Sequence, residues 1–199
     1  MKWTVLSDNR SNDCCLSTEH GLSIILQTER HKILLDTGAS DVFIKNAQLL
    51  GMDLNDVDYI FISHGHSDHA GGLRYILEHN RQAKVIISPD AMSGKFFSKR
   101  GNLHSITTEW PEIDDTRLLL VDQTCEIAEV LHVIAHIPQI HSMPKGNQNH
   151  MFRMPTEIIS TTISVMSWLC ISMACYSRAV LIVDWRTSLQ PVLGLFIAL

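Results

Sequence analysis

The chain is predicted to fold as a mixed α/β protein, a sheet-rich layered architecture. Three observations predict it. The 199 residues are 45% apolar and 19% charged, which reads as one globular domain with a sizeable core. Two apolar, β-branched-rich runs, Gly21–Gln27 and Lys32–Leu35, flank the polar stretch Thr28–His31 in a hairpin pattern. Beyond them strand and helix patterns alternate, as βαβ-like units require.

The elements follow in order. Trp3–Leu6 is a short strand, and the hairpin comes next. Asp36-Thr37-Gly38 ends its second strand with turn chemistry. Ser40–Leu50 carries apolar residues at Val42, Phe43, Ala47 and Leu50, so it reads as a helix, with Ser40 as N-cap and Gly51 at its C-terminal end. Val57–Ile62 is a strand. Gly71–His79 is a helix with Leu73, Ile76 and Leu77 on one face. Lys84–Ser88 is a strand, Ala91–Ser98 a short helix, and Arg117–Val121 and Val130–Ile134 are strands.

The net charge of −5 and the absence of a Lys/Arg run give no electrostatic case for nucleic acid. No period recurs, which excludes repeat, collagen-like and coiled-coil architectures. MKWTVLSDNR lacks the long apolar core of a secretory signal. The five cysteines are odd in number and form no CxxC pair, so reduced thiols and a cytoplasmic location are expected. Adjacent Cys14 and Cys15 offer a soft-metal pair, with ordinary thiols as the plainer reading.

Chemistry concentrates in Ser63-His64-Gly65-His66-Ser67-Asp68-His69-Ala70-Gly71-Gly72. Four metal ligands fall within six residues, directly after an apolar strand. On an extended segment His64 and His66 converge on one ion, and Asp68 and His69 beyond the turn serve a second. Imidazole with carboxylate suits Zn²⁺, and also Fe or Mn. Two such ions about 3.5–4 Å apart hold the bridging hydroxide of a two-metal hydrolase. A polar loop with chance histidines is the plainer alternative, and it leaves four ligands at a strand end unexplained.

FISHGHSDHAGGL resembles the signature of the metallo-β-lactamase superfamily, and ILLDTG its upstream motif. VLSDNR, EHGLSIILQTERHKILLDTGAS and FIKNAQLLGMDLNDVDYIFISHGHSDHAGGL resemble the branch of dihydropterin-ribofuranosylaminobenzene-phosphate-synthase-like metallohydrolases. The resemblance spans residues 3–155 and implies an αββα sandwich whose C-terminal half is incomplete here. It implies His64 and His66 on a first metal, Asp68 and His69 on a second, and Asp68 also orienting the attacking water. Asp36 is implied as a hydrogen-bonding support of the metal loop, beside its plainer role as turn-former. The implied activity is attack of a metal-bound hydroxide on an ester, phosphoester or amide-like bond of a small-molecule substrate. Thioesterase-like, lactamase and phosphodiesterase reactions all lie within that range.

The resemblance also implies ligands from later strands, within a Gly-Cys-(Ala/Ser)-His motif and near the C-terminus. The downstream candidates are His104, His132, His136, His141 and His150, and residues 156–199 contain no histidine. Residues 1–155 carry 33 of the 37 charged residues, and Ile158–Ser177 is wholly uncharged. The reading is therefore a metallo-β-lactamase-like domain over 1–155 and an aberrant apolar tail over 156–199. Back-translation gives this shift a cause. Ser177–Trp185 read one base earlier yields TGCSHRGL, and Pro155–Ser164 in the same shift yields DGNNFDHDI, both resembling family elements. A frameshifted, truncated protein with impaired turnover is expected. The rival readings are a non-catalytic metal-binding remnant, a membrane anchor through the tail, and a terminal strand pair using Ala179–Val183. Seven Ser and Thr hydroxyls and no flanking basic cluster speak against the anchor. These motifs set neither the substrate nor the oligomeric state.

Overall fold

In the computed structural model, the residues described are 1–129, 131–135, 150–153, 170–173, 179–182 and 194–197. They fall into two compact units: Met1–Ile87 with Ile106–Leu120, and Ser88–Ser105 with Val121–Leu199. Position 155, the expected domain boundary, lies outside the described residues, as does most of the uncharged run 158–177.

The first unit is built on one six-stranded sheet. Strands β1 (Lys2–Ser7), β2 (Ser23–Gln27) and β3 (Lys32–Leu35) form an antiparallel meander. Thr28 closes the β2–β3 hairpin as expected. Its hydroxyl accepts from the backbone N–H of Arg30 and His31 and donates to the His31 carbonyl. Helix α1 (Val42–Leu49) then leads to β4 (Tyr59–Phe61), which pairs parallel with β3. The short helices α2 (Ser67–Ala70) and α3 (Leu73–His79) lead to β5 (Lys84–Ile87), parallel to β4. Ile60, Phe61, Ile62, Val85, Ile86 and Ile87 are all buried, the continuous apolar run of strands covered on both faces.

Buried asparagines fasten the loops to this sheet. The amide of Asn46 on α1 donates to the carbonyls of Leu6 and Ser17 and accepts from the Ser17 N–H. Asn80, after α3, donates to the carbonyls of Leu54, Asn55 and Val57 and accepts from the N–H of Gln82 and Ala83. Such groups sit in a core only because their polar atoms are satisfied.

Two local expectations are corrected. The α1 cap position is Asp41, not Ser40. The Ser40 hydroxyl accepts from the Val42 N–H and gives its proton to Glu19. Leu50 is exposed, and the buried face of α1 is Phe43, Ile44, Asn46 and Ala47. Ala91–Ser98 is not one helix. Helix α4 (Pro89–Ser93) starts on Ser88, whose hydroxyl accepts from the Ala91 N–H, with Pro89 in its first turn. Extended Gly94 ends it, and strand β6 (Lys95–Ser98) follows, where adjacent Phe96 and Phe97 favour a strand.

The remaining strands are β7 (His104–Ser105), β8 (Leu118–Leu120), β9 (Cys125–Ala128), β10 (Leu131–Ile134), β11 (His150–Arg153), β12 (Cys170–Met173), β13 (Ala179–Ile182) and β14 (Gly194–Ile197). β8 completes the first unit's sheet, parallel to β5. The second unit holds a three-stranded sheet in the order β11-β6-β7 and a five-stranded antiparallel sheet in the order β14-β13-β12-β10-β9. β13 occupies most of Ala179–Val183, the strand named in the rival reading of the tail as a terminal strand pair. Within the uncharged run, the described stretch Cys170–Met173 is extended, and among the described residues no helix is long and apolar enough to cross a membrane.

Candidate metal centre

The C-terminal ends of the parallel strands carry the chemistry, the usual site in open α/β sheets. Asp36 follows β3 with φ +52, a left-handed conformation that Asp tolerates better than most residues. The adjoining backbone holds it there. Its N–H donates to the Phe61 carbonyl at 2.8 Å, and its carbonyl accepts from the Ser23 hydroxyl at 2.9 Å. The segment 63–69 follows β4. Thr37 is wedged against it, with both N–H and hydroxyl donating to the His69 carbonyl at 2.7 and 3.1 Å. On the other side Ile106–Thr108 braces the loop. Ser67 N–H donates to Ile106 O, and Thr108 N–H to Gly65 O.

His64, His66 and His69 are buried, with the His64 ring centroid 4.5 Å from that of His66 and 4.3 Å from that of His69. Donor atoms of Asp36, His64 and His69 lie within 4.8 Å of one another. Of the four sequence-expected ligands, His64 and His69 belong to this group and the His66 ring lies beside His64, while the carboxylate in the group is Asp36, expected only as a support, and not Asp68. Asp68 stands at their edge, its side chain 26% exposed, with Oδ2 3.9 Å from His69 Nε2.

The hydrogen bonds fix the proton positions. Asp36 Oδ1 accepts from the Ser63 N–H at 2.8 Å, and Oδ2 accepts from the Ser63 hydroxyl and from His69 Nδ1, both at 2.7 Å. The carboxylate only accepts, so His69 carries its proton on Nδ1 and Ser63 spends its own on Asp36. Ser63 Oγ, 2.8 Å from His64 Nδ1, then accepts from that ring too. One buried carboxylate therefore sets both imidazoles as Nδ1–H tautomers, leaving Nε2 as the atom each offers a metal. Metal-binding histidines are oriented in this way. The donor set, imidazole nitrogens backed by a carboxylate, fits Zn²⁺ and its transition-metal neighbours.

The cluster shifts two of its titratable groups, and only the Asp68 shift favours the form that binds a metal. Burial pushes the Asp68 carboxyl up, but the neighbouring His69, His66 and His20 outweigh it and hold the group below its ordinary value. Burial pushes His69 down, but the charge and hydrogen bond of Asp36, with Asp68, hold it above.

Two contributors escaped the sequence reading. Ser63 lay inside the motif, but its relay between Asp36 and His64 shows only in three dimensions. His20, in the β1–β2 loop, places Nε2 3.4 Å from Asp68 Oδ2. Its signal was the hairpin register: Ile24 pairs with Leu35, which brings the residues before β2 to the sheet end that bears Asp36.

Of the downstream histidines, His104 is exposed on β7, His132 half-buried on β10 and His150 buried on β11, all in the second unit. His136 and His141 lie outside the described residues. Asp13, Cys14 and Cys15 also gather donor atoms within 4.8 Å, in an exposed turn. There the Cys14 hydrogen bond and the Asp13 charge push the Cys15 thiol up, away from the thiolate a metal needs.

The profile of the metallo-beta-lactamase superfamily matches residues 17–144. An uncharacterized protein of Methanocaldococcus jannaschii is 34% identical over 83 residues, 41% of this chain and 32% of that protein. The 7,8-dihydropterin-6-methyl-4-(beta-D-ribofuranosyl)-aminobenzene-5'-phosphate synthase of the same organism is 29% identical over 100 residues, 47% of this chain and 34% of the synthase. These matches span about a third of the length of either relative. Among solved structures, a metal-dependent hydrolase of the beta-lactamase superfamily superposes with a TM-score of 0.66 at 26% identity, covering 86% of this chain and 60% of that one.

Proposed function

The chain belongs to the metallo-beta-lactamase superfamily, and from that premise we propose that it is a divalent-metal hydrolase acting on an ester or phosphoester bond of a small molecule. The observation that carries this reading is the Asp36–Ser63–His64 and Asp36–His69 proton relay, which presets two ligand tautomers. His64 and His66 would hold one ion, and Asp68 and His69 a second, with Zn²⁺ favoured over Fe or Mn. The metal, when bound, supplies Lewis acidity that lowers the pKa of water toward about 7 and polarises the scissile bond.

The chain's own residues do the rest. Asp36 locks the imidazoles, so no reorganisation is needed when substrate arrives. Asp68, whose carboxylate the neighbouring imidazoles stabilise and which is partly open to solvent, would orient the attacking water. Ile62 and Ala70, which flank the motif, and Leu73 beyond it are buried.

The test is zinc content and turnover of bis(4-nitrophenyl) phosphate and 4-nitrophenyl acetate. Tight zinc binding with chelator-sensitive hydrolysis of either ester supports the reading. Zinc without turnover favours a non-catalytic metal-binding protein, and absence of zinc binding overturns the metal centre itself.

We further propose that residues from about 156 onward are read one base out of frame. The support is the order of DGNNFDHDI and TGCSHRGL in a single shifted frame. DNA sequence across codons 150–199 is expected to encode both motifs after a one-base correction. Codons that cannot encode them end the proposal.

A further inference from the structure

We propose that Cys14 and Cys15, at the corner of an exposed turn in the loop between β1 and β2, form a dithiol site that chelates a trivalent arsenical through two sulfur–arsenic bonds. The site shares no residue with the metal centre described above.

Adjacent residues of a strand point their side chains to opposite faces. A turn removes that constraint. The Leu16 N–H donates to the Asp13 carbonyl at 3.3 Å, which closes a β-turn with Cys14 and Cys15 at its two central positions. Their Sγ atoms and a carboxylate oxygen of Asp13 lie within 4.8 Å of one another, and a hydrogen bond joins the two thiols. Both cysteines are exposed, so a ligand reaches both sulfurs. Among the described residues, no other cluster of this kind contains a cysteine, and Cys125 is half-buried on β9.

The turn is fixed on both sides. The Ser11 hydroxyl accepts from the Asp13 N–H and donates to the Asp13 carbonyl, both at 3.0 Å. Asp13 Oδ1 accepts from the Cys15 N–H at 2.9 Å. Beyond the turn, buried Asn46 accepts from the Ser17 N–H at 3.0 Å and donates to the Ser17 carbonyl at 2.8 Å. The two sulfurs are therefore presented by a held backbone, and chelation orders little that is not already ordered.

The chemistry of the pair selects the ligand. A divalent ion binds thiolates and must release their protons. The Cys14 hydrogen bond and the Asp13 charge hold the Cys15 thiol up, which works against such an ion. A trivalent arsenical has no such requirement. Two S–H groups condense with the two As–OH groups of an organoarsonous acid. Two S–As bonds form, two As–O bonds break, and each thiol proton leaves with a hydroxide as water. No electron is transferred and no net proton is released, so a raised thiol leaves the balance unchanged. With both thiols on one turn, the second S–As bond is intramolecular, which strengthens the adduct about 10²–10⁴-fold over that of a single thiol.

The experiment adds phenylarsine oxide, which hydrates to phenylarsonous acid, to the reduced full chain and to its Cys14→Ser, Cys15→Ser and Cys125→Ser variants. Intact mass counts the arsenicals that remain under rising 2-mercaptoethanol. The parent and Cys125→Ser are expected to hold the same number against the monothiol and to release them to 2,3-dimercaptopropanol. Cys14→Ser and Cys15→Ser are each expected to hold one fewer, lost at about 100-fold lower monothiol. Both positions are exposed, so urea midpoints of these variants should match the parent. A parent that holds no arsenical against the monothiol overturns the proposal. So does an unchanged count in Cys14→Ser and Cys15→Ser, which places the arsenical on other cysteines, or a loss in Cys125→Ser, which gives one of the pair a different partner.

Discussion

Asp36→Ala is expected to reduce metal affinity about 100-fold, at the upper end of what loss of a supporting group costs, and to destabilise the metal-free chain by about 3 kcal/mol. The magnitude follows from what the carboxylate does. It is 2% exposed and takes three hydrogen bonds, from the Ser63 N–H, the Ser63 hydroxyl and His69 Nδ1. Alanine leaves these donors buried without their acceptor. It also frees both imidazoles to move their protons to Nε2, the atom a metal needs bare. A third loss is conformational, since alanine tolerates φ +52 less well than Asp. Asp36→Asn separates these effects. It keeps the backbone conformation and one acceptor oxygen, but its amide N–H₂ opposes a donor. Affinity should therefore fall nearly as far as in alanine while the urea midpoint falls less. Ser63→Ala should weaken the metal through His64 alone, and the double variant should lose less than the two single losses combined, because both residues belong to one network. Additive losses, or an Asp36→Ala chain that holds zinc as tightly as its parent, would remove the relay from the account.

The sequence disclosed the frame of this site and not its wiring. Periodicity marked the hairpin and the parallel strands because Ile33–Leu35, Tyr59–Phe61 and Lys84–Ile87 are short apolar runs that cannot be read otherwise between turn residues. The motif marked His64, His66, Asp68 and His69 as candidate ligands because such a cluster at a strand end is a local signal. Ser63 and His20 act through partners 27 and 48 positions away, Asp36 and Asp68, and no local pattern encodes such contacts. The helix misread over Ala91–Ser98 has the opposite cause. Ser88-Pro89 and Gly94 were local start and stop signals, but the apolar residues beyond Gly94 were counted into the helix when they pair with β7 and β11. The resemblance to known metallohydrolases implied ligand roles for four residues, and the hydrogen bonds of Asp36 and Ser63 bear on two of them, His64 and His69.

The second large effect lies in the glycines that end the motif. Gly72→Ala is expected to cost about 3 kcal/mol, the upper range of overpacking a tight contact, and to weaken metal binding as well. Gly72 has φ −78 and ψ −8, which alanine adopts freely, so backbone preference contributes nothing. The cost is steric. An added Cβ would sit 2.1 Å from Thr37 O, 2.7 Å from Ser40 O and 2.8 Å from the Phe43 ring. Two of these are backbone atoms, so a side-chain rotation cannot relieve the clash. The segment after β3 must move away from α3, and that segment carries Asp36. A displacement of about 1 Å breaks the 2.7 Å bond from His69 Nδ1 to Asp36. Gly51→Ala is the matched control. Nothing lies within 4 Å of its Cβ, but φ is +67, so it should cost about 1 kcal/mol with no change in metal affinity. Urea unfolding with an unchanged slope and Co²⁺ titration read the two quantities separately. If Gly72→Ala unfolds at the same urea concentration as Gly51→Ala and binds Co²⁺ like the parent, the loops are not packed at glycine distance, and the rigid coupling of Asp36 to the ligand loop falls with them.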